Sequence, residues 1–274
     1  MKATTMGKAS RVLLRFTYVL LKPVYKIYEK WLWLQIRGGK KPRHVGIIPD
    51  GNRRWAREHS MPPWLGHEFG YKRLRMVLDW LWDLDIEVVT VYAMSTENCL
   101  YRSDIEREKL FELARRALIE IKENIEDFRK RGVKIRFFGR MELVPSDIVK
   151  LAHEIEEITN KYETKHVLNI ALCYGGRQEI VDAVRRLAKD VKEGLVRVDD
   201  IDENLFSKYL YTYGLPDPDL IIRTSGEERI SNFLLWQSAY SELYFCEVYW
   251  PDFRKIDLWR AIRSYQKRER RFGR

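Results

Sequence analysis

The chain has 274 residues, 45% of them hydrophobic and 13% aromatic, which is enough apolar material for one large domain or two small ones and too much for a disordered segment. Three cysteines, Cys99, Cys173 and Cys246, stand far apart with no C-x-x-C pair, so neither a zinc site nor a disulfide framework is expected, and a reducing, intracellular setting fits best. The formal charge of +10 invites a nucleic-acid reading, but its distribution argues against one: residues 1–43 carry eleven Lys or Arg against a single acid, Glu29, and the remaining 39 basic and 39 acidic residues cancel.

That basic arm comes first in the chain. At about 100° per residue on a helix, Lys8, Arg11, Arg15, Lys22, Lys26, Lys30 and Arg37 fall on one side, and Leu13, Phe16, Leu20, Val24, Ile27, Trp31 and Leu34 on the other. Pro23 divides the pattern into two shorter helices and suits the first turn of the second. The longest charge-free run there, Phe16 to Leu21, is far short of the roughly 20 residues of a membrane span. The arm therefore reads as a helix lying on the cytoplasmic membrane face, or as one packing its apolar side on protein. No secretory cleavage pattern accompanies it.

Gly38-Gly39-Lys40-Lys41-Pro42 reads as a linker, and a regular domain is expected over residues 44–274. Strand-like runs at His44–Ile48, Glu87–Met94, Val133–Gly139, His166–Tyr174 and Asp219–Thr224 alternate with long helix-like segments. Such alternation predicts an α/β fold, a single domain with a mostly parallel central sheet flanked by helices. Tyr71, Leu74, Leu78 and Leu81 give one helix an apolar stripe, and Leu110, Leu113, Ala117, Ile121 and Phe128 do the same for the next.

Ligands of open α/β sheets bind beyond the carboxyl ends of the strands. Asp50-Gly51-Asn52, Ser95-Thr96-Glu97-Asn98, Gly175-Gly176-Arg177 and Arg223-Thr224-Ser225-Gly226 all follow strand-like runs. By itself Asp50-Gly51-Asn52 is a good turn and no more. Arg53, Arg54, Arg223 and Arg229 add guanidinium groups suited to bidentate contact with phosphate oxygens. Mg²⁺, which needs only one or two protein carboxylates beside phosphate, would find them in Asp50 and Glu242. No G-x-x-x-x-G-K-[ST] or G-x-G-x-x-G follows a strand, so the nucleotide readings lose their usual anchors, and no His pair has metal-ligand spacing.

The stretch His44-Val45-Gly46-Ile47-Ile48-Pro49-Asp50-Gly51-Asn52-Arg53-Arg54-Trp55-Ala56 resembles the first motif of the cis-prenyltransferases, the undecaprenyl and dehydrodolichyl diphosphate synthases. Gly66-His67, Tyr92 to Asn98, Asn169 to Arg177, Asp219 to Gln237, Glu242 to Phe245 and Trp250 to Phe253 continue the resemblance in order. It implies an enzyme adding isopentenyl diphosphate in cis to an allylic diphosphate primer, farnesyl or geranylgeranyl, to make an undecaprenyl- or dolichyl-type carrier precursor. It further implies that Asp50 and Glu242 hold Mg²⁺, and that Gly51, Asn52, Arg53 and Arg54 cradle the allylic diphosphate with Trp55 and His67 beside it. Asn98 would assist proton removal from the isopentenyl substrate, near Ser95, Thr96, Glu97 and Arg102. Arg223, Arg229, Ile230 and Ser231 would meet the second diphosphate. Arg271-Phe272-Gly273 resembles the closing motif that reaches the site across a dimer interface, which implies a homodimer.

Three departures bear on the isopentenyl side: Cys99 stands where a bulky aromatic is common, Leu100-Tyr101 displaces the usual basic residue to Arg102, and Pro63 takes a frequent arginine position. An accessory, non-catalytic subunit is the alternative class, disfavoured because Asp50, Asn98 and Glu242 occur together. An RNA-binding module is disfavoured by the neutral body and the lack of an aromatic RNP-type motif.

Overall fold

The computed structural model describes residues 23–268. These residues form two compact units: one pairs the arm, through residue 40, with the C-terminal segment from Arg254, and the other comprises Lys41–Phe253. This division differs from the expected domain of residues 44–274, because the last helix groups with the arm.

In the larger unit six strands form one all-parallel sheet: β1 (His44–Ile48), β2 (Val88–Tyr92), β3 (Val133–Phe138), β4 (His166–Ala171), β5 (Leu220–Arg223) and β6 (Glu242–Phe245). The spatial order is β3-β4-β2-β1-β5-β6. Five strands coincide with the expected runs; β6 is additional. β1, β2 and β5 are buried on both faces, which is why they read as unbroken Val/Ile/Leu runs.

The polar exceptions within these strands satisfy one another. His44 Nδ1 lies 2.7 Å from the Pro216 carbonyl and so must donate, which leaves Nε2 to accept from the Thr90 hydroxyl at 2.7 Å, while Asn169 donates to the same Thr90 oxygen at 3.0 Å. Burial holds His44 neutral, with its pKa lowered to about 4.

Chain order fixes where a ligand can sit. From β1 the chain steps to β2 on one side, then through β3 and β4, and returns to β5 on the other side of β1. This reversal opens a crevice beyond the carboxyl ends of β1, β2 and β5. Around it lie α2 (Asn52–Glu58), α3 (Pro63–Asp83), α4 (Thr96–Tyr101) and α5 (Asp104–Glu123). Helix α5 packs on α3 and on α7 (Ser146–Thr159). The stripe expected as one helix through Phe128 breaks at Asn124, and α6 (Ile125–Arg131) carries its end. Helix α8 (Gly176–Lys192) follows β4, and α9 (Glu203–Ser207) follows α8.

In the smaller unit α1, helical over the described residues 23–36, packs on α10 (Lys255–Lys267). Leu32 and Ile36 are fully buried, and Trp33 meets Trp259 at 5.3 Å between ring centroids. Gln266 donates to the Ile36 carbonyl, Arg263 to Gln35 and Arg260 to the Tyr28 hydroxyl. The other expected stripe is uncovered: Val24, Ile27, Trp31 and Leu34 are 48–70% exposed. Leu13, Phe16 and Leu20 of that stripe lie outside the described residues. Among the described residues no helix is long and apolar enough to cross a membrane.

Candidate active site

The β1–α2 turn sets the floor of the site. Gly51 sits at φ +97°, and a Cβ there would lie 2.7 Å from the Tyr249 ring and 2.9 Å from Ser225 Cβ, so only glycine fits. The turn presents the Asp50 carboxylate, which accepts from the Gly51 N–H at 2.6 Å and from Arg223 at 2.8 Å, with Arg54 at 3.7 Å. Burial alone would raise the Asp50 pKa; the Arg223 and Gly51 hydrogen bonds and the two guanidinium charges outweigh it and hold the carboxyl below its ordinary range. Gly66 serves the same floor differently. A Cβ there would come within 2.0 Å of the Asn52 carbonyl, so glycine lets α3 close against α2.

Arg223 is the buried centre, only 3% exposed. Besides Asp50 it donates to Ser231 Oγ at 2.6 Å and to the Arg229 carbonyl. Ser225, Ser231, Asn232 and Leu234 all have positive φ, a concentration of unfavourable backbone in one loop that the surrounding contacts hold in place. Arg54 donates to Ser225 Oγ at 2.6 Å and pairs with Glu227 at 2.9 Å; Arg53 pairs with Glu106 at 3.2 Å. On the opposite wall Ser95 caps α4 by accepting from the Asn98 N–H, and Arg102 donates to Asn98 Oδ1 at 2.9 Å.

Together Asp50, Gly51, Asn52, Arg53, Arg54, His67, Ser95, Glu97, Asn98, Arg102, Arg223 and Ser231 line one polar basin. Arg57, Arg177 and Asn232 join them without having been assigned a role from the sequence. The position of Arg177 just after a post-strand Gly-Gly was the available signal for it. Among the residues that line the basin, several buried polar atoms have no protein partner: Asn52 Oδ1, Arg53 Nε, His67 Nε2 and Arg223 Nε. Burial, then Arg102 and Arg53, lower the His67 pKa to about 4, so the imidazole is neutral at pH 7.

Other expected contacts are placed elsewhere. Trp55 turns to the far side of α2, where its indole donates to Asp252 at 2.8 Å and packs on His59 and Phe69; it is core, not site wall. Ile230 packs on the core around Phe233. The Arg229 side chain points outward to Glu227 and is 60% exposed, so only its carbonyl reaches Arg223. Thr96 holds the fold, its hydroxyl donating to the Cys173 carbonyl at 2.9 Å.

Glu242 is not brought to Asp50. In the β5–β6 register it pairs with Leu220, whereas Arg223 pairs with Phe245, so Glu242 sits three residues, roughly 10 Å of strand, from the site end. Arg271 and Gly273 lie outside the described residues. Among the described residues no group of three or more His, Cys, Asp or Glu could hold a metal. Asp50 fits a Mg²⁺ that takes most of its ligands from diphosphate and water, since one hard carboxylate opening on the basin suffices for such an ion.

The cysteines overturn the sequence expectation. Cys99 and Cys173 form a disulfide that spans 74 residues of sequence, a pairing that spacing could not reveal. Cys246 is outside it and donates weakly to the Arg223 carbonyl.

Next to the basin lies an apolar cavity between the sheet and helices α3, α5 and α6. Pro49, Asn52, His67 and Ala93 line both spaces. Leu74, Leu78, Leu113, Ala117, Ile121 and Phe128 form part of the cavity wall, so both stripes read in the sequence face the same hollow. An arginine-rich basin and a hydrocarbon-lined cavity share a wall, a pairing suited to a ligand with an anionic head and an apolar tail.

Comparison with known proteins agrees. Residues 48–273 match the family described as "Putative undecaprenyl diphosphate synthase". The tritrans,polycis-undecaprenyl-diphosphate synthase (geranylgeranyl-diphosphate specific) of Methanopyrus kandleri is 54% identical over the full length of both chains. The corresponding protein of Sulfolobus acidocaldarius is 52% identical over 94% of this chain and 97% of its own. Lavandulyl diphosphate synthase from Lavandula x intermedia, solved with dimethylallyl diphosphate, superposes with a TM-score of 0.81 at 34% identity, covering 85% of this chain and 99% of that one. The chain belongs to the undecaprenyl diphosphate synthase family, the cis-prenyltransferases, and is a prenyltransferase.

Proposed function

We propose that this enzyme elongates geranylgeranyl diphosphate with isopentenyl diphosphate in cis to give a polycis-undecaprenyl-type diphosphate. The observation that carries this reading is the shared wall of basin and cavity, which would let a diphosphate stay among arginines while its hydrocarbon lengthens in an apolar space. The names of the relatives support the geranylgeranyl primer over the farnesyl one.

In this reading Asp50, Arg53 and Arg54 receive the allylic diphosphate, with the neutral His67 beside them. Arg223 and Ser231 receive the isopentenyl diphosphate. Bound Mg²⁺ would supply charge neutralisation for the departing diphosphate. When the allylic carbon–oxygen bond breaks, its electron pair leaves with diphosphate, the isopentenyl double bond supplies the pair for the new carbon–carbon bond, and the proton lost from the isopentenyl unit passes to an oxygen of the departing diphosphate. Asn98, held by Ser95 and Arg102, is placed to assist that departure. The fixed guanidinium groups need no reorganisation as charge develops on the leaving group, which is where such a site lowers a barrier.

A homodimer completes the proposal, with Arg271 and Gly273 supplied from a second copy. Attachment of α1 to the cytoplasmic membrane face is its remaining part, supported by the exposed Val24, Ile27, Trp31 and Leu34 beside Lys26 and Lys30. Removal of residues 1–37 should abolish sedimentation with anionic liposomes; equal sedimentation of both forms would remove the membrane from the proposal. Labelled isopentenyl diphosphate, Mg²⁺ and each primer in turn, followed by product sizing, test the function itself. Elongation of geranylgeranyl diphosphate is expected, and absence of elongation with every primer by folded, dimeric protein would reject the enzyme assignment.

A further inference from the structure

We propose that Cys99 and Cys173 are positioning residues whose disulfide fixes α4, and with it Asn98, on the wall of the basin; this rests on the isopentenyl-binding reading of that wall. Helix α4 has six residues, too few to persist unaided in water. Its outward face adds nothing, because Leu100 is 44% and Tyr101 81% exposed. Cys99 is its one buried residue, and the disulfide joins that residue to the turn after β4.

Both sulfurs are sheltered, Cys99 being 6% and Cys173 0% exposed, so the bond is a permanent tie, closed to passing thiols in the folded protein. The other ties reach only the start of the helix: the Thr96 N–H donates to the Tyr174 carbonyl and the Thr96 hydroxyl to the Cys173 carbonyl. Beyond Asn98 the disulfide is the tie from the buried face of α4 to the turn after β4, while Arg102 at the end of the helix pairs with Glu106 of α5 at 3.9 Å. Its loss would leave Asn98 held from the α5 side alone, through Arg102 and Glu106, and so loosened against the β4 side of the basin, while Asp50 and Arg54, on the other wall, keep their own partners.

Reduction by a dithiol breaks the S–S bond, delivers two electrons and two protons to the Cys99 and Cys173 sulfurs, and leaves the reductant as its own disulfide. The first measurement is the mass of non-reduced protein alkylated in denaturant. One adduct among the three cysteines is expected, and none in Cys246→Ser; three adducts in the wild type would overturn the proposal.

The second measurement compares the wild type with Cys99→Ser/Cys173→Ser and with wild type reduced by dithiol in denaturant and refolded with the thiols kept reduced. The unlinked forms should show a KM for isopentenyl diphosphate raised about fivefold or more, with the KM for the allylic primer changed less than about twofold. Reoxidation of the reduced wild type should restore the first value, which a general loss of fold would not. Unchanged KM values in verified unlinked protein of native circular dichroism would overturn the positioning role. Should the wild type elongate no primer, the function assignment fails separately, and hydrogen exchange reads the same tie. Amides of residues 96–101 should then exchange at least about tenfold faster after reduction, and equal exchange overturns the proposal.

Discussion

Replacing Asp50 by Asn removes one charge and almost no volume, which separates the two things this carboxylate does. In the folded chain it faces Arg223 at 2.8 Å and Arg54 at 3.7 Å. Two unit charges about 4 Å apart near a protein surface attract by about 4 kcal/mol. Removing one member of a fully buried pair costs about 3–5 kcal/mol, but Asp50 is about a third exposed, which lowers the expected loss to about 1–3 kcal/mol. At about 2–4 °C per kcal/mol for a domain of this size, that is a fall in melting temperature of about 2–12 °C.

Anion binding should move the other way. With the competing carboxylate gone, Arg223 and Arg54 are both available to phosphate oxygens, and metal-free inorganic diphosphate should bind about tenfold more tightly, a gain of about 1.4 kcal/mol. Turnover should nevertheless fall by at least about a thousandfold, because the group that would bring Mg²⁺ to the leaving diphosphate is lost. Calorimetry with diphosphate in the presence of a chelator, thermal unfolding and initial rates with labelled isopentenyl diphosphate measure the three effects. Turnover within tenfold of the wild type, or weaker metal-free diphosphate binding, would refute the placement of Asp50 between metal and arginines.

Other expected outcomes follow from the same geometry. Gly66→Ala should cost about 1–3 kcal/mol and raise the KM for the allylic primer, because its Cβ must push α3 from the Asn52 carbonyl; a neutral effect on melting and KM would contradict the close approach. Ala117→Trp should shift products to shorter chains while the first addition proceeds, as seen by chromatographic sizing; unchanged product length would show that the growing chain takes another path. For His44, a folded pKa of about 4 lies below the unfolded value near 6.5, so the unfolded state binds the proton more readily. Its stabilisation is full above pH 6.5 and is lost as pH falls toward 4, by about 3 kcal/mol. Melting temperatures from pH 7.5 to 4.5 should show this slope, and His44→Gln should lessen it. Mixing Asp50→Ala with Arg271→Ala chains should restore about a quarter of wild-type activity if the sites are shared across a two-fold axis; no recovery after verified subunit exchange would exclude sharing.

The sheet was legible because parallel strands buried on both faces are written as apolar runs, and Val45 to Ile48 or Leu220 to Ile222 have no other reading. Strand β6 escaped: Glu242-Leu243-Tyr244-Phe245 is four residues at an edge, half-buried throughout, and β5 alone supplies its pairing. The basin was legible as a set of post-strand loops. Side-chain direction within it was not. Trp55 adjoins Arg54 in sequence, but successive helix positions diverge by about 100°, which sends the indole toward Asp252. Arg229 is intercepted by Glu227, two residues before it. Glu242 was grouped with Asp50 by resemblance, and only the register of β6 shows that they stand at opposite ends of the sheet. The two apolar stripes were visible as periodicity, which does not tell a packed core from the wall of a hollow; the shared lining of cavity and basin makes that distinction.

The most direct test of the central claim is the length of what the enzyme makes. With geranylgeranyl diphosphate, excess labelled isopentenyl diphosphate and Mg²⁺, the account predicts polycis products of undecaprenyl type that disappear in Asp50→Asn. Products that stop after a single addition, or elongation that persists undiminished in that variant, would contradict it.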